Sequence, residues 1–203
     1  MKQYPEIQRV VVGGKAIYAF DKIDGSSIRA EWTRKRGFWK FGTRTRLLDP
    51  NEKPLGDAIG LFMDNQAAEL GQRLKDERWP EATAFFEFWG RESFAGTHRD
   101  DDHFVSLIDV SVFKKGLLLA RDYLKLTEGL DRARLLYWGN ANEPFVESVH
   151  NGALEGMTFE GVVCKGAYVS PGMPLMFKVK NRAWVEKLKG FCGGNEEKFR
   201  RLL

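Results

Sequence analysis

Cysteine is nearly absent. Cys164 and Cys192 are the only two in 203 residues, they form no C-x-x-C pair, and Cys164 sits inside an apolar, strand-like run. That usage excludes a disulfide framework and a cysteine-based zinc site, and it fits a reducing compartment. Long apolar runs are missing too: none approaches the ~20 residues that a bilayer span requires. The segment from Met1 to Arg9 lacks the basic-then-apolar pattern of a secretion signal, so a cytoplasmic protein with no membrane partner is expected. Histidine is scarce, with three in the chain. His98 and His103 flank Asp100, Asp101 and Asp102, but the run has turn composition and lacks the i, i+4 helical placement of typical histidine ligands, so it reads as a solvated acidic loop. His150 has no companion and reads as structural. There is no internal repeat, no low-complexity segment and no linker.

What is present is enough apolar material for a core. At 43% hydrophobic, a chain of this length favours one domain spanning residues 1–203, with a short basic helical tail from about residue 183 as its only separable piece. Thirty-two Lys plus Arg against twenty-eight Asp plus Glu leave a net charge of +4, which permits a polyanionic partner without requiring one. Arg34, Lys35, Arg36, Lys40, Arg44 and Arg46 cluster and interleave with Phe38, Trp39 and Phe41. That mix could track a phosphate backbone and stack on bases. The alternative is a twisted hairpin with a charged, solvated face.

Periodicity predicts strands at 17–20 and 28–32 on either side of an Asp-Gly-Ser turn, then at 84–89, 104–113, 135–138, 158–165 and 175–179. Helices are predicted over 59–78, closed by Trp79-Pro80, over 120–134 with a break near Gly129, over 144–151, and in a tail split by Gly193-Gly194. Strands outnumber helices and are joined by short turns rather than regular crossovers. An α+β fold with mostly antiparallel sheets is therefore expected.

Three lysine-bearing motifs stand out in order: Lys22-Ile23-Asp24-Gly25, then Glu160-Gly161-Val162-Val163-Cys164-Lys165, then Lys178-Val179-Lys180. Each alone is an ordinary turn or strand. Between them, Phe85-Phe86-Glu87-Phe88-Trp89-Gly90 places one carboxylate in an otherwise apolar run, and a buried glutamate needs a defined partner. Taken together and in this order, the motifs resemble those of the lysine-adenylating nucleotidyltransferases: ATP-dependent DNA ligases, RNA ligases and messenger-RNA capping enzymes. The resemblance runs from about Ile17 to Trp184.

The resemblance implies a ligase-type nucleotidyltransferase domain whose sheets surround a nucleotide cleft. Lys22 would attack the α-phosphate of ATP to form a lysyl-AMP intermediate, with Lys178 and Lys180 offsetting charge in the transition state. Lysine is a poor nucleophile, with a reference pKa of about 10.4, so packing it near Lys178, Lys180 and a divalent metal should depress that value. Glu160 would help hold Mg²⁺ or Mn²⁺. Val163 would pack on one adenine face and Phe104 on the other, because Ile108 stands where relatives often carry an aromatic before the Asp109 position. Glu87 would meet the ribose hydroxyls. Arg44, or alternatively Arg46, would contact the nucleotide or the terminal phosphate of the nucleic acid, and Asp24, Gly25, Ser27, Arg29 and Lys165 complete the nucleotide-binding set. Ser27 departs from the Arg or Asn of many relatives.

DNA ligases and capping enzymes typically append an oligonucleotide-binding barrel, and only about two dozen residues follow Lys180, so no appended OB barrel is expected. The phrases Glu87 to Gly90, Ser93 to His98, Asp109-Val110 and Lys114-Lys115-Gly116 look most like bacterial and phage RNA ligases. The implied function is an ATP-dependent RNA ligase joining 5′-phosphate to 3′-hydroxyl ends, acting on RNA ends or nicked duplex. A minimal DNA ligase and a non-catalytic nucleic-acid-binding module of the same fold are the alternatives. Oligomeric state is not legible.

Overall fold

The computed structural model describes residues 3–9, 11–91 and 102–203. Apolar residues on the two sides of Lys22-Ile23-Asp24 form consecutive strands, β1 (Ala16–Asp21) and β2 (Gly25–Thr33). Seven more follow: β3 (Gly37–Gly42), β4 (Glu81–Trp89), β5 (Phe104–Val112), β6 (Gly116–Leu117), β7 (Leu135–Asn140), β8 (Gly161–Ser170) and β9 (Met173–Lys180). β1 enters a four-stranded antiparallel sheet of order β7-β1-β8-β9, whereas β2 enters a five-stranded one of order β3-β2-β4-β5-β6. Lys22 thus sits where the chain passes from one sheet to the other.

Helices pack against both sheets. α1 (Asp57–Phe62) runs through a π-helical turn, Met63–Ala67, into α2 (Ala68–Asp76). It seats Phe62 against the five-stranded sheet, stacked on Phe86 at 4.6 Å between ring centroids and edge-on to Phe38 at 4.9 Å. α4 (Glu143–His150), capped by the Asn142 side chain, buries Phe145 and Val149 with Ile17, Val162 and Phe177 of the four-stranded sheet. The tail forms α5 (Arg182–Cys192) and α6 (Glu196–Leu202). Gly193, at φ +55°, ends α5 in the left-handed conformation that glycine adopts without strain.

The α+β, antiparallel expectation holds, with no barrel among the described residues. The helix expected over 120–134 is corrected. α3 (Ala120–Leu126) stops where the Thr127 hydroxyl bonds the Tyr123 carbonyl. The chain beyond then lies along the open edge of β5, with Leu107 N–H donating to Asp131 O and Ala133 N–H to Leu107 O. Pairing that edge outweighs helix propensity. The basic cluster spans the turn between β2 and β3, the strand β3 itself and the residues after it. The phrase Ser93 to His98 and the part of the acidic loop up to Asp101 lie outside the described residues. His103 contacts the Arg91 carbonyl at 3.0 Å, and no metal-holding group of His, Cys, Asp and Glu occurs among the described residues. No helix is long and apolar enough to cross a membrane.

Candidate active site

A cleft of about 560 Å³ opens between the sheets. Its geometry starts with two glycines. A Cβ on Gly25 would stand 2.3 Å from the Phe88 carbonyl oxygen, and one on Gly161 2.1 Å from that of Val179. Only glycine lets β2 close on β4, and β8 on β9, at these points. The Gly161 carbonyl accepts the Lys22 N–H at 2.9 Å, which fastens the start of the Lys22 turn beside Glu160. Asp21 secures the same region: its carboxylate accepts from the Thr158 N–H at 3.0 Å and the Thr158 hydroxyl at 3.1 Å.

Glu160, buried at 4% exposure, accepts from Lys22 Nζ at 2.9 Å through one oxygen and from Lys180 Nζ through the other. Lys180 also lies over the Trp184 ring, 3.8 Å from its centroid. Lys178 and Lys180 alternate with Val179 on β9 and so share a face, and both line the cleft. Lys178 Nζ instead donates to the Leu203 carbonyl at 3.2 Å.

The electrostatics depart from the expectation at Lys22. Burial alone would push its ammonium down, but Glu160 and Glu87 outweigh that and hold it above its usual value. The neighbouring lysines do not depress it as expected, because a carboxylate lies nearer. Lys180, lowered chiefly by desolvation and also by the neighbouring Lys22, falls to about 8, and Lys178 shifts the same way. Glu160 is disfavoured as an anion by its burial, yet Lys22 and Lys180 hold its carboxyl below the usual range. Glu87 moves oppositely. Buried on β4, it is raised to about 8 by desolvation, with Glu160 and Asp24 adding to the shift and Lys22 opposing it.

The raised Glu87 value carries a pH consequence. Between the unfolded value of 4.5 and about 8, the folded state binds a proton that the unfolded state has released, so this group makes stability fall as pH rises through that window. Glu87→Gln is expected to remove this contribution. Urea midpoints from pH 4 to 9 should decline less in the variant than in the wild type, and parallel curves would refute the assignment.

The apolar end of the cleft differs from expectation. Val163 on β8 lines it, but Phe104 does not. Phe104 begins β5 opposite Trp89, with ring centroids 5.0 Å apart, and faces a separate hollow. Ile108 of the other sheet lines this end with Val163, and Phe85, Tyr4 and Ile7 pack into the same apolar cluster. The reason is a β-bulge: Phe85 pairs with Asp109 and Phe86 with Leu107, so Ile108 is the extra residue and is turned into the cleft. Tyr4 and Ile7 escaped the sequence reading altogether. Their segment packs beside β9, where Gln8 bridges Phe177 and accepts the Lys178 N–H at 2.8 Å.

Gly25, Ser27, Arg29, Arg44 and Glu87 all line the cleft. Ser27 stands directly across from Glu87, and Arg29 from Phe85. Asp24 is outside the lining residues but near enough to influence both Lys22 and Glu87. Of the two arginine alternatives, Arg44 is at the cleft, 3.9 Å from Glu6, while Arg46 pairs with Glu52 outside it. Lys165 forms the floor: its ammonium pairs with Asp109 at 2.9 Å and donates to the Ile108 carbonyl at 2.8 Å.

Comparison with solved structures decides the fold. Naegleria gruberi RNA ligase bound to pyrophosphate superposes with a TM-score of 0.71 at 16% identity, over 94% of this chain and 58% of that one. A mutant of the same ligase with AMP and Mn gives 0.70 at 14%, over 92% and 58%. A mutant with ATP and Mn gives 0.71 at 15%, over 93% and 58%. This is a ligase-type nucleotidyltransferase fold. The chain spans somewhat more than half the length of these ligases. No family model matches the sequence, and no curated protein matches it significantly.

Proposed function

We propose that the protein is an ATP-dependent RNA ligase that forms a lysyl-AMP intermediate at Lys22. The observation carrying this reading is the Lys22–Glu160–Lys180 cluster at the mouth of an intersheet cleft, in a fold shared with RNA ligases solved with AMP, ATP and pyrophosphate. Adenine fits the slot between Val163 and the Ile108 side, and the ribose hydroxyls fall to Glu87. A largely protonated carboxyl there can donate as well as accept a hydrogen bond. Deprotonated Lys22 Nζ attacks the α-phosphorus, a nitrogen–phosphorus bond forms, and the bond to pyrophosphate breaks. Lys180 and Lys178 offset charge on the phosphate oxygens as it builds.

The donor set also fits a divalent cation. Glu160 is an ionised, hard oxygen ligand beside the phosphate path, and with no group of three or more metal-holding His, Cys, Asp and Glu side chains among the described residues it suits a metal that keeps several waters, as Mg²⁺ or Mn²⁺ does. Bound there, it would supply positive charge that cancels the hold of Glu160 on the Lys22 ammonium and favours the free amine. AMP would then pass from Lys22 to an RNA 5′-phosphate, and attack of a 3′-hydroxyl on that phosphate would form the phosphodiester and release AMP.

Incubation with α-labelled ATP or GTP and Mg²⁺, followed by denaturing electrophoresis, tests the reading. The expected result is ATP-specific label on the protein, labile to acid and stable to alkali, with RNA ends sealed in preference to DNA ends. Absence of label, from protein stripped of any attached AMP, would overturn it.

A further inference from the structure

The five-stranded sheet ends in an odd edge. β3 is its outer strand, and along it Glu31 pairs with Lys40 while Trp32 pairs with Phe38, so Trp39 is the extra residue of a β-bulge. The bulge lets Phe38 and Phe41 both pack towards Phe62, at centroid distances of 4.9 and 6.1 Å, and turns Trp39 outward at 43% exposure. The Arg36 guanidinium lies 4.8 Å from the Trp39 ring centroid and Lys40 Nζ 5.6 Å, with Lys40 also 3.9 Å from Glu31. Charge on an edge strand guards against edge-to-edge pairing, and that accounts for Lys40. It does not account for a tryptophan, since an exposed apolar side chain at an edge invites the association that such charges prevent. A π surface flanked by cations does suit one class of ligand: a base with its neighbouring phosphates.

Position strengthens the match. β3 runs directly into Thr43 and Arg44, which line the cleft. Trp39 precedes Gly42 by three residues, about 10 Å along a strand, which is roughly three stacked nucleotide steps of ~3.4 Å. We infer that the β2–β3 hairpin is a stacking subsite for an RNA strand leaving the cleft: Trp39 takes a base of that strand beyond the cleft rim, and Arg36 and Lys40 take the adjoining phosphates. The inference rests on the ligase reading of the cleft, and it names how that site would hold its second substrate.

Fluorescence anisotropy with 5′-phosphorylated single-stranded RNA is the test, using a dinucleotide and an octanucleotide. Trp39→Ala should bind the octanucleotide about tenfold more weakly, in line with alanine substitution of a base-stacking aromatic, and the dinucleotide as wild type does. Trp39→Phe should restore most of the loss, which a merely structural role for the indole would not predict. Arg36→Ala with Lys40→Ala should flatten the dependence of log affinity on log salt by about 1.4, two single-strand phosphate contacts at ~0.7 each. Trp138→Ala is the control, because Trp138 is 68% exposed on β7 of the other sheet and should have no effect. Unchanged octanucleotide affinity in Trp39→Ala, or equal losses in Trp39→Ala and Trp138→Ala, would overturn the subsite. Labelling by ATP, measured on the same preparations, keeps the two readings apart: normal labelling with unchanged RNA affinity refutes the hairpin alone, and absent wild-type labelling refutes the ligase reading.

Discussion

Lys22→Ala is expected to abolish covalent labelling by ATP while the protein stays folded. The side chain is partly exposed, at 23%, and it caps a cleft rather than filling a core, so its truncation removes little packing. Removing a nucleophile leaves no route to the protein–AMP bond. Lys22→Arg sharpens the test: a guanidinium can keep the pair with Glu160, but it does not lose its proton near neutral pH. Both variants should be unlabelled, and the arginine form should keep more of the wild-type stability. Lys180→Ala should retain the nucleophile and lose about 10²- to 10³-fold in labelling rate, the range for deleting one group that stabilises developing charge. Because carboxylates hold the Lys22 ammonium above its usual value, labelling should also accelerate as pH rises through the alkaline range. Equal labelling of Lys22→Ala and wild type would remove Lys22 from the mechanism.

The parts of this site that were legible in the sequence are those whose chemistry is written locally. A lysine followed by a tight turn, a glutamate followed by glycine, and alternating lysines on a strand each specify their geometry within a few residues. The structure brings Lys22, Glu160, Lys178 and Lys180 to one cleft. Their protonation was not legible in the same way: lysines suggested mutual depression, but Glu160 lies 2.9 Å from Lys22, and its charge dominates there. The apolar slot failed for a different reason. Strand alternation assigns faces only while the period of two persists, and the bulge at Ile108 breaks it, exchanging the faces on either side. Nothing in Phe104 to Val110 announces that extra residue. Tyr4 and Ile7 carry no local signal either, since they become cleft residues only through pairing with β9, more than 160 positions away in sequence. The helix expected over 120–134 failed on the same ground, because the edge it pairs with belongs to β5.

Breaking the Asp109–Lys165 pair should give the largest loss of stability of any single substitution at the cleft. The two side chains are 0% and 2% exposed and meet at 2.9 Å. Asp109 also accepts from the Tyr4 hydroxyl at 3.0 Å and the Val110 N–H at 2.9 Å. Lys165 Nζ lies 4.7 Å from the Tyr123 ring centroid and 5.0 Å from that of Phe20. Asp109 belongs to β5 and Lys165 to β8, so the pair bolts one sheet to the other beneath the cleft. Asp109→Ala strands a buried ammonium, a change that costs about 3–5 kcal/mol. At about 2–4 °C per kcal/mol for a chain of this size, Tm should fall by on the order of 10 °C. Neutralising both partners, as in Asp109→Leu with Lys165→Met, removes the stranded charge and should recover much of that loss, which makes the two substitutions strongly non-additive. The same bolt positions Ile108 and Val163, one on each strand, so Asp109→Ala should also lose nucleotide labelling at temperatures where it remains folded. An unchanged Tm in Asp109→Ala, or additive losses in the double variant, would show that the sheets are held together by apolar packing and not by this pair.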